Sequence, residues 1–109
     1  MMRVIARWID DPTESPVVTD LLVDVASLHV VGPSAAFGCV DLDGPNQRAF
    51  VLDASGRMDF GPAAPDRYWQ TDLMKTRIAH GETFQIFWRD GDSGTYKIVK
   101  IATPGSKAP

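Results

Sequence analysis

The sequence is poor in the residues that build disulfides and zinc sites. It contains one cysteine, Cys39, and two histidines, His29 and His80. A single cysteine forms no internal disulfide and no paired-cysteine metal site, which is typical of a protein in a reducing cytoplasm. Two histidines without a third patterned ligand do not indicate zinc either. We therefore expect a cytoplasmic protein with no metal and no cofactor.

Long apolar runs and glycine-rich phosphate motifs are also missing. No stretch approaches the roughly 20 apolar residues needed to span a bilayer. Residues 1–11 have a short apolar run and early acids, unlike a secretory signal peptide. Neither GxGxxG nor GxxxxGK followed by Ser or Thr occurs. We therefore expect no membrane association and no standard nucleotide-binding loop.

Acidic residues are in excess and unevenly spread. The net charge is −3, from 14 acidic and 11 basic residues. Residues 1–66 carry ten acids and four arginines, a balance of −6, whereas residues 67–109 carry four acids and seven bases, a balance of +3. An acidic chain is a poor default binder of nucleic-acid phosphates, but it attracts a basic protein.

The clearest structural pattern is a β-hairpin near the C-terminal end. Residues 84–89 and 95–101 are rich in aromatic and β-branched side chains, and the Gly- and Asp-rich residues 90–94 lie between them. A five-residue loop would pair Trp88 with Tyr96, Ile86 with Ile98 and Phe84 with Lys100. This register predicts one apolar face, formed by Phe84, Ile86, Trp88, Tyr96 and Ile98.

Further strands are predicted at residues 3–9, 37–42, 48–52 and 57–60, the last three as a meander joined by tight turns. Residues 16–30 predict an amphipathic helix with Ser15 as N-cap, and a strand over residues 21–31 is the competing interpretation. Residues 66–80 predict a second helix.

The predicted fold class is α+β. It is a mainly antiparallel sheet of about five to six strands with one or two helices packed on one face. The length of 109 residues fits a single domain. We assign that domain to residues 1–102, followed by a flexible tail over residues 103–109.

Two short motifs resemble catalytic or metal-binding loops. Residues 40–44, VDLDG, are similar to the nucleophile loop of haloacid-dehalogenase-type phosphotransferases, but Pro45 stands where that family has Thr. Residues 90–95 begin like a Ca²⁺ loop, but Thr95 and Ile101 stand where an EF-hand needs Gly and Glu. Both motifs therefore predict hairpin turns.

The first functional hypothesis is a small, acidic, non-enzymatic module that binds another protein with a basic surface. No convergent catalytic set occurs in the sequence. In size and charge the chain resembles small bacterial immunity proteins and antitoxins, which implies an inhibitor of a partner protein. Contact is expected through an exposed sheet edge or through an acidic surface. The acidic candidates are Asp20, Asp24, Asp41, Asp43, Asp90 and Asp92.

The alternative hypothesis is a small enzyme or ligand-binding domain with a pocket between the sheet and the helices. Its polar groups would be Cys39, Asp41, Tyr68 and His80, since a thiol, an imidazole and a carboxylate together support nucleophilic catalysis. A homo-oligomer whose sheets pair is a third possibility. Aromatic and basic residues could also form a stacking surface for single-stranded nucleic acid, but we expect the tryptophans in the core instead. This surface would comprise Arg67, Tyr68, Trp69, Trp88, Arg89, Lys97 and Lys100.

Overall fold

The computed structural model shows an antiparallel β-barrel that closes on itself. It describes residues 2–14, 16–31, 36–40, 48–61, 68–88 and 91–102. Eight strands follow one another around the barrel, and the last strand pairs with the first. The predicted α+β class is therefore wrong, because the described residues hold eight strands and no α-helix.

Each strand pairs with its neighbours in the sequence, which makes a simple up-and-down barrel. A single 3₁₀ turn, Leu73–Lys75, lies between β6 and β7. Among all the described residues, no helix is long and apolar enough to cross a membrane. The strands are β1 Met2–Trp8, β2 Val17–Leu21, β3 Ala36–Val40, β4 Arg48–Leu52, β5 Arg57–Asp59, β6 Tyr68–Thr71, β7 Thr83–Phe87 and β8 Ser93–Ala102.

The helix predicted over residues 16–30 is replaced by β2 and a turn. Val17, Thr19 and Leu21 are buried and alternate with partly exposed residues, which is the strand period of two. The valines of this segment fit a helical arc, but β-branched side chains favour a strand. The competing strand over residues 21–31 is also wrong, because only an isolated bridge joins Val23 to Val30.

The helix predicted over residues 66–80 is replaced by β6 and the 3₁₀ turn. The Asp72 side chain accepts a hydrogen bond from the Gln85 amide at 2.8 Å. The Thr71 hydroxyl also donates to the Gln85 carbonyl oxygen at 2.7 Å. These bonds hold the end of β6 against β7. Leu73 and Ile78 are then buried in the barrel core.

The predicted C-terminal hairpin is confirmed as a hairpin, but its register is different. Phe84 pairs with Tyr96 rather than Lys100, and Ile86 pairs with Gly94 rather than Ile98. The backbone amide of Trp88 donates to the Asp92 carbonyl oxygen at 2.8 Å and closes a tighter turn. The register moves by four residues, an even number, so the predicted faces are retained. Phe84, Ile86, Tyr96 and Ile98 are all buried.

The predicted strand at residues 3–9 and the predicted meander are confirmed as β1 and as β3, β4 and β5. Asp53 closes the turn between β4 and β5 by accepting hydrogen bonds from the Ser55 and Arg57 amides at 2.9 and 3.0 Å. The hairpin turn predicted from the VDLDG motif, beyond Val40, and the tail at 103–109 lie outside the described residues.

Side chains fill the barrel interior. Eight strands enclose a space that is either packed or just wide enough for one small ligand. Here Phe50, Met58, Leu73 and Ile86 border a gap that is too small for a water molecule. This gap therefore offers no room for a ligand.

An aromatic cluster lies at the end of the barrel where β1 and β7 finish. Trp8 and Trp88 meet edge to face with ring centroids 5.6 Å apart, and Trp69 lies 6.4 Å from Trp88. Phe60 extends the series at 5.1 Å from Trp69. Burial, and secondly the nearby Glu14 carboxylate, raise the pKa of the Tyr96 hydroxyl. These rings pack this end of the barrel.

Candidate functional site

The outer wall of β1 to β5 carries an ordered row of side chains. In register, Arg3 lies opposite Asp20, which lies opposite Phe37. Phe37 lies opposite Val51, and Val51 lies opposite Asp59. We call this set the Phe37 row. Its apolar centre has a carboxylate on each side.

The two apolar residues at the centre of the row are exposed. Phe37 has 56% of its surface accessible and Val51 has 43%. They are cross-strand partners, so their side chains are neighbours on the same face. Exposed large apolar side chains in one place mark a contact site more often than scattered ones do.

The sequence of β3 explains why its large side chain points outward. Ala36 and Val40 face the interior, and Gly38 lies between them on the same side. The ring of Phe50 on β4 occupies the space above Gly38, so no inward side chain fits there. The alternate positions, Phe37 and Cys39, therefore lie on the outer wall.

Arg3 and Asp20 form a two-point ion pair at one end of the row. Arg3 Nε donates to Asp20 Oδ1 at 2.8 Å, and Nη2 donates to Oδ2 at 3.0 Å. The hydrogen bond from Arg3 holds the pKa of Asp20 below its usual value, although partial burial opposes the shift. The pair therefore fixes the orientation of both side chains.

A shallow depression lies beside this ion pair. Its volume is about 250 Å³. Cys39 is partly buried, and its Sγ donates to the Val40 carbonyl oxygen at 3.4 Å. The depression is open to solvent on the outer wall, unlike the filled interior. Its lining residues are Arg3, Val18, Asp20, Phe37, Gly38 and Cys39.

Asp59 carries the carboxylate at the other end of the row. Its side chain accepts a hydrogen bond from the Gly61 amide at 2.8 Å. Among the described residues no basic side chain forms an ion pair with it. The neighbouring Arg57 instead lies over the Tyr68 ring, with Cζ 4.0 Å from the ring centroid. Asp59 is thus an exposed negative charge beside Val51.

No protein-family model, curated protein or solved structure matches this chain. Any functional proposal therefore depends on the geometry of the described residues.

Of the six aspartates predicted to form an acidic surface, the three that the structure describes do not all lie together. Asp20 lies on β2 near the start of β1, and Asp24 follows in the next turn, where it accepts hydrogen bonds from the Ala26 and Ser27 amides. Asp92 lies at the opposite end of the barrel, in the turn between β7 and β8. Asp41, Asp43 and Asp90 lie outside the described residues.

The polar groups of the predicted pocket are also separated. Cys39 is on the outer wall of β3, and Tyr68 is on the outer wall of β6, with β4 and β5 between them. His80 lies in the connection between β6 and β7, and Asp41 is outside the described residues. A pocket between sheet and helices does not exist in a barrel without helices. No three metal-ligand side chains cluster in the described ranges either.

The closed barrel also removes the predicted sheet edge. Every described strand has a partner on both sides, so the described strands offer no free edge for the predicted edge contact. The aromatic residues of the nucleic-acid alternative are divided as well. Trp69 and Trp88 belong to the aromatic cluster, whereas Tyr68 points outward.

Sequence reasoning missed Arg3, Phe37, Val51 and Asp59 as site residues. A signal for Phe37 was present, because Ala36, Gly38 and Val40 form a small apolar set that alternates with larger residues. The row itself depends on the register of five strands, which no local pattern contains.

Proposed function

We propose that this chain is a non-enzymatic protein-binding module, and that the Phe37 row is its contact surface. The observation that carries the proposal is the exposed pair of Phe37 and Val51, directly opposed on β3 and β4. A buried aromatic anchor supplies a large part of the energy in many protein interfaces. Phe37 is the aromatic anchor of this surface.

The charges of the row support a partner with a basic rim around an apolar groove. Asp59 is exposed beside Val51, and no basic side chain of the described residues pairs with it, whereas the charge of Asp20 is offset by Arg3. The whole chain carries a net charge of −3. Carboxylates at the edge of a contact raise the association rate with a basic protein and contribute to specificity. The partner we propose is therefore a different, basic protein rather than a second copy of this acidic chain.

The filled interior and the scattered polar groups support binding rather than catalysis. The gap inside the barrel does not admit water, and among the described residues no imidazole lines the depression that holds Cys39. The single cysteine supports a reducing compartment, so we place the interaction in the cytoplasm.

The test is affinity capture from cells of the source organism with the immobilised full chain, followed by measured affinities for each captured protein. Phe37→Ser should weaken the affinity for the true partner by about thirtyfold or more, as expected for an interface anchor. Asp59→Asn should slow association and reduce its dependence on salt. Val25→Ser is the matched control, because Val25 is an exposed apolar residue, 79% accessible, in the turn after β2.

Four results would overturn the proposal. One is capture that Phe37→Ser and Val25→Ser affect equally. The second is a set of captured proteins that are acidic, and the third is no capture at low salt. The fourth is a dimer of the chain, detected by light scattering, that Phe37→Ser dissociates, since the row would then bind a second copy.

A further inference from the structure

The depression beside Arg3 has a geometry that the proposed function does not use. A guanidinium has five N–H donors. Two N–H donors of Arg3, one on Nε and one on Nη2, bond to Asp20. No acceptor for Nη1 occurs among the described residues, and the Arg3 side chain is 51% accessible. One edge of the guanidinium is therefore held in place while the other edge faces solvent.

Asp20 limits the movement of this guanidinium. Two parallel hydrogen bonds to one carboxylate restrict both the position and the plane of an arginine. The open Nη1 and Nη2 edge then has a fixed direction before any ligand arrives. A preorganised donor pair loses less conformational entropy on binding than a free arginine does.

The charges that line the depression do not repel an anion. Arg3 and Asp20 offset each other, and Asp20 is the only carboxylate among its described lining residues. Lys100 is exposed on β8, opposite Ile5 of β1, and is a positive charge on the same outer wall, outside the lining.

The rest of the depression is apolar and small. Phe37 forms one side, and Val18 and Cys39, which pair across β2 and β3, form the base. A volume of about 250 Å³ accommodates one large side chain or a small aromatic acid. It lies below the roughly 300–1,000 Å³ that is usual for drug-sized ligands.

We propose that this depression binds a carboxylate attached to an apolar or aromatic group. The carboxylate accepts two hydrogen bonds from the open Arg3 edge, and the apolar group packs on Phe37 and Val18. Such a ligand is either a free aromatic acid or the C-terminal residue of a polypeptide. This ligand site goes beyond the proposed protein contact. Ligand binding depends on Arg3, and the variants that test the protein contact leave Arg3 unchanged.

Titration of the full ¹⁵N-labelled chain with three probes tests this site. The probes are N-acetyl-phenylalanine, its C-terminal amide and phenylacetate. Both acids should shift the amide resonances of residues 18, 20 and 37–39, and the amide probe should bind at least tenfold more weakly because it cannot form the charge-assisted pair. Saturating acid should also slow alkylation of Cys39, the only thiol in the chain.

Substitutions separate binding from folding. Arg3→Met should weaken the binding of both acids at least tenfold. Arg3→Lys should weaken their binding less, since it keeps the charge but loses the planar fork. Lys75→Met removes a charge from the 3₁₀ turn and should change nothing. Unshifted resonances away from β1–β3 will show that each variant is folded.

The two sources of ligand give different results. Tighter binding of phenylacetate assigns a free aromatic acid, whereas tighter binding of N-acetyl-phenylalanine assigns a polypeptide C-terminus. Equal binding of acid and amide, equal binding by Arg3→Met and the original chain, or no shift at residues 18, 20 and 37–39 would overturn the proposal.

Discussion

The ring of Phe50 lies directly over the α-carbon of Gly38, across the β3–β4 ladder. A β-carbon at position 38 would collide with this ring and with the backbone carbonyl oxygen of Val18. The missing side chain on one strand is thus filled by the aromatic ring of the next. Phe50 is 3% accessible, so this contact lies in the core.

Gly38→Ala should destabilise the barrel by about 1–3 kcal/mol, the usual cost of overpacking a core. Urea unfolding measures this change. Adding Phe50→Leu should recover part of the loss, because the shorter side chain frees the space near position 38, although the Val18 oxygen still interferes. Strict additivity of the two substitutions would contradict the contact.

Phe37 and Phe50 should respond in opposite ways to truncation. Phe50→Ala should cost about 3–5 kcal/mol, because it leaves a cavity in the core. Phe37→Ala should change the free energy of unfolding by no more than about 0.5 kcal/mol, because its ring is 56% accessible. Chemical denaturation of both variants checks the prediction. A large loss on Phe37→Ala would mean that the outer ring supports the fold rather than a partner.

Gly94→Ala should disturb the pair of tryptophans at the aromatic end. A β-carbon there would lie 2.7 Å from Trp88 and 2.9 Å from the indole nitrogen of Trp8. We expect a changed near-ultraviolet circular dichroism spectrum and a loss of about 1–3 kcal/mol. Gly38→Ala is the matched control, since it also overpacks a strand but does not touch Trp8 or Trp88. Identical spectral changes in both variants would contradict the assignment.

Asp53 should make the stability of the chain depend on acid pH. A hydrogen bond from the Ser55 hydroxyl, and secondly one from the Arg57 amide, lower the pKa of Asp53 in the folded state. Its contribution is therefore fully present above the ordinary carboxyl pKa of about 4 and is lost as the pH falls through the lower folded value. Asp53→Asn should be less stable at neutral pH and should match the original chain in strong acid. A difference that stays constant from about pH 7 to about pH 2 would contradict this linkage.

The parts of the fold that were predictable are those with local signals. The turn at Asp53 and the strands on either side of it are specified by neighbouring residues, and the structure has them as expected. The helix prediction for residues 16–30 is wrong because the spacing of their valines fits both the helical and the strand period. Only the pairing of Val18 with Ile5 and Cys39 specifies a strand. The closure of the sheet is a contact between distant strands and has no local signature.

The candidate site was less predictable than the fold. In the sequence, aspartates are chosen by their charge alone. In the structure, Asp24 accepts a hydrogen bond within its own turn and Asp92 lies at the far end of the barrel. Arg3, Phe37 and Asp59 meet through the ladders between five strands. Neither their alignment nor the outward direction of Phe37 is visible until those ladders are known.

The ladder between β1 and β8 joins Arg3 to Ala102 and Trp8 to Tyr96, so it spans almost the whole chain. Contacts between such distant residues form late, because a long loop must close first. During synthesis β1 has no partner on one side until Ser93–Ala102 has left the ribosome. The growing chain therefore carries a bare strand edge for most of its translation, when pairing with another chain is a hazard. Slowing elongation just before β8 should lengthen that exposure and increase aggregation of the newly made protein.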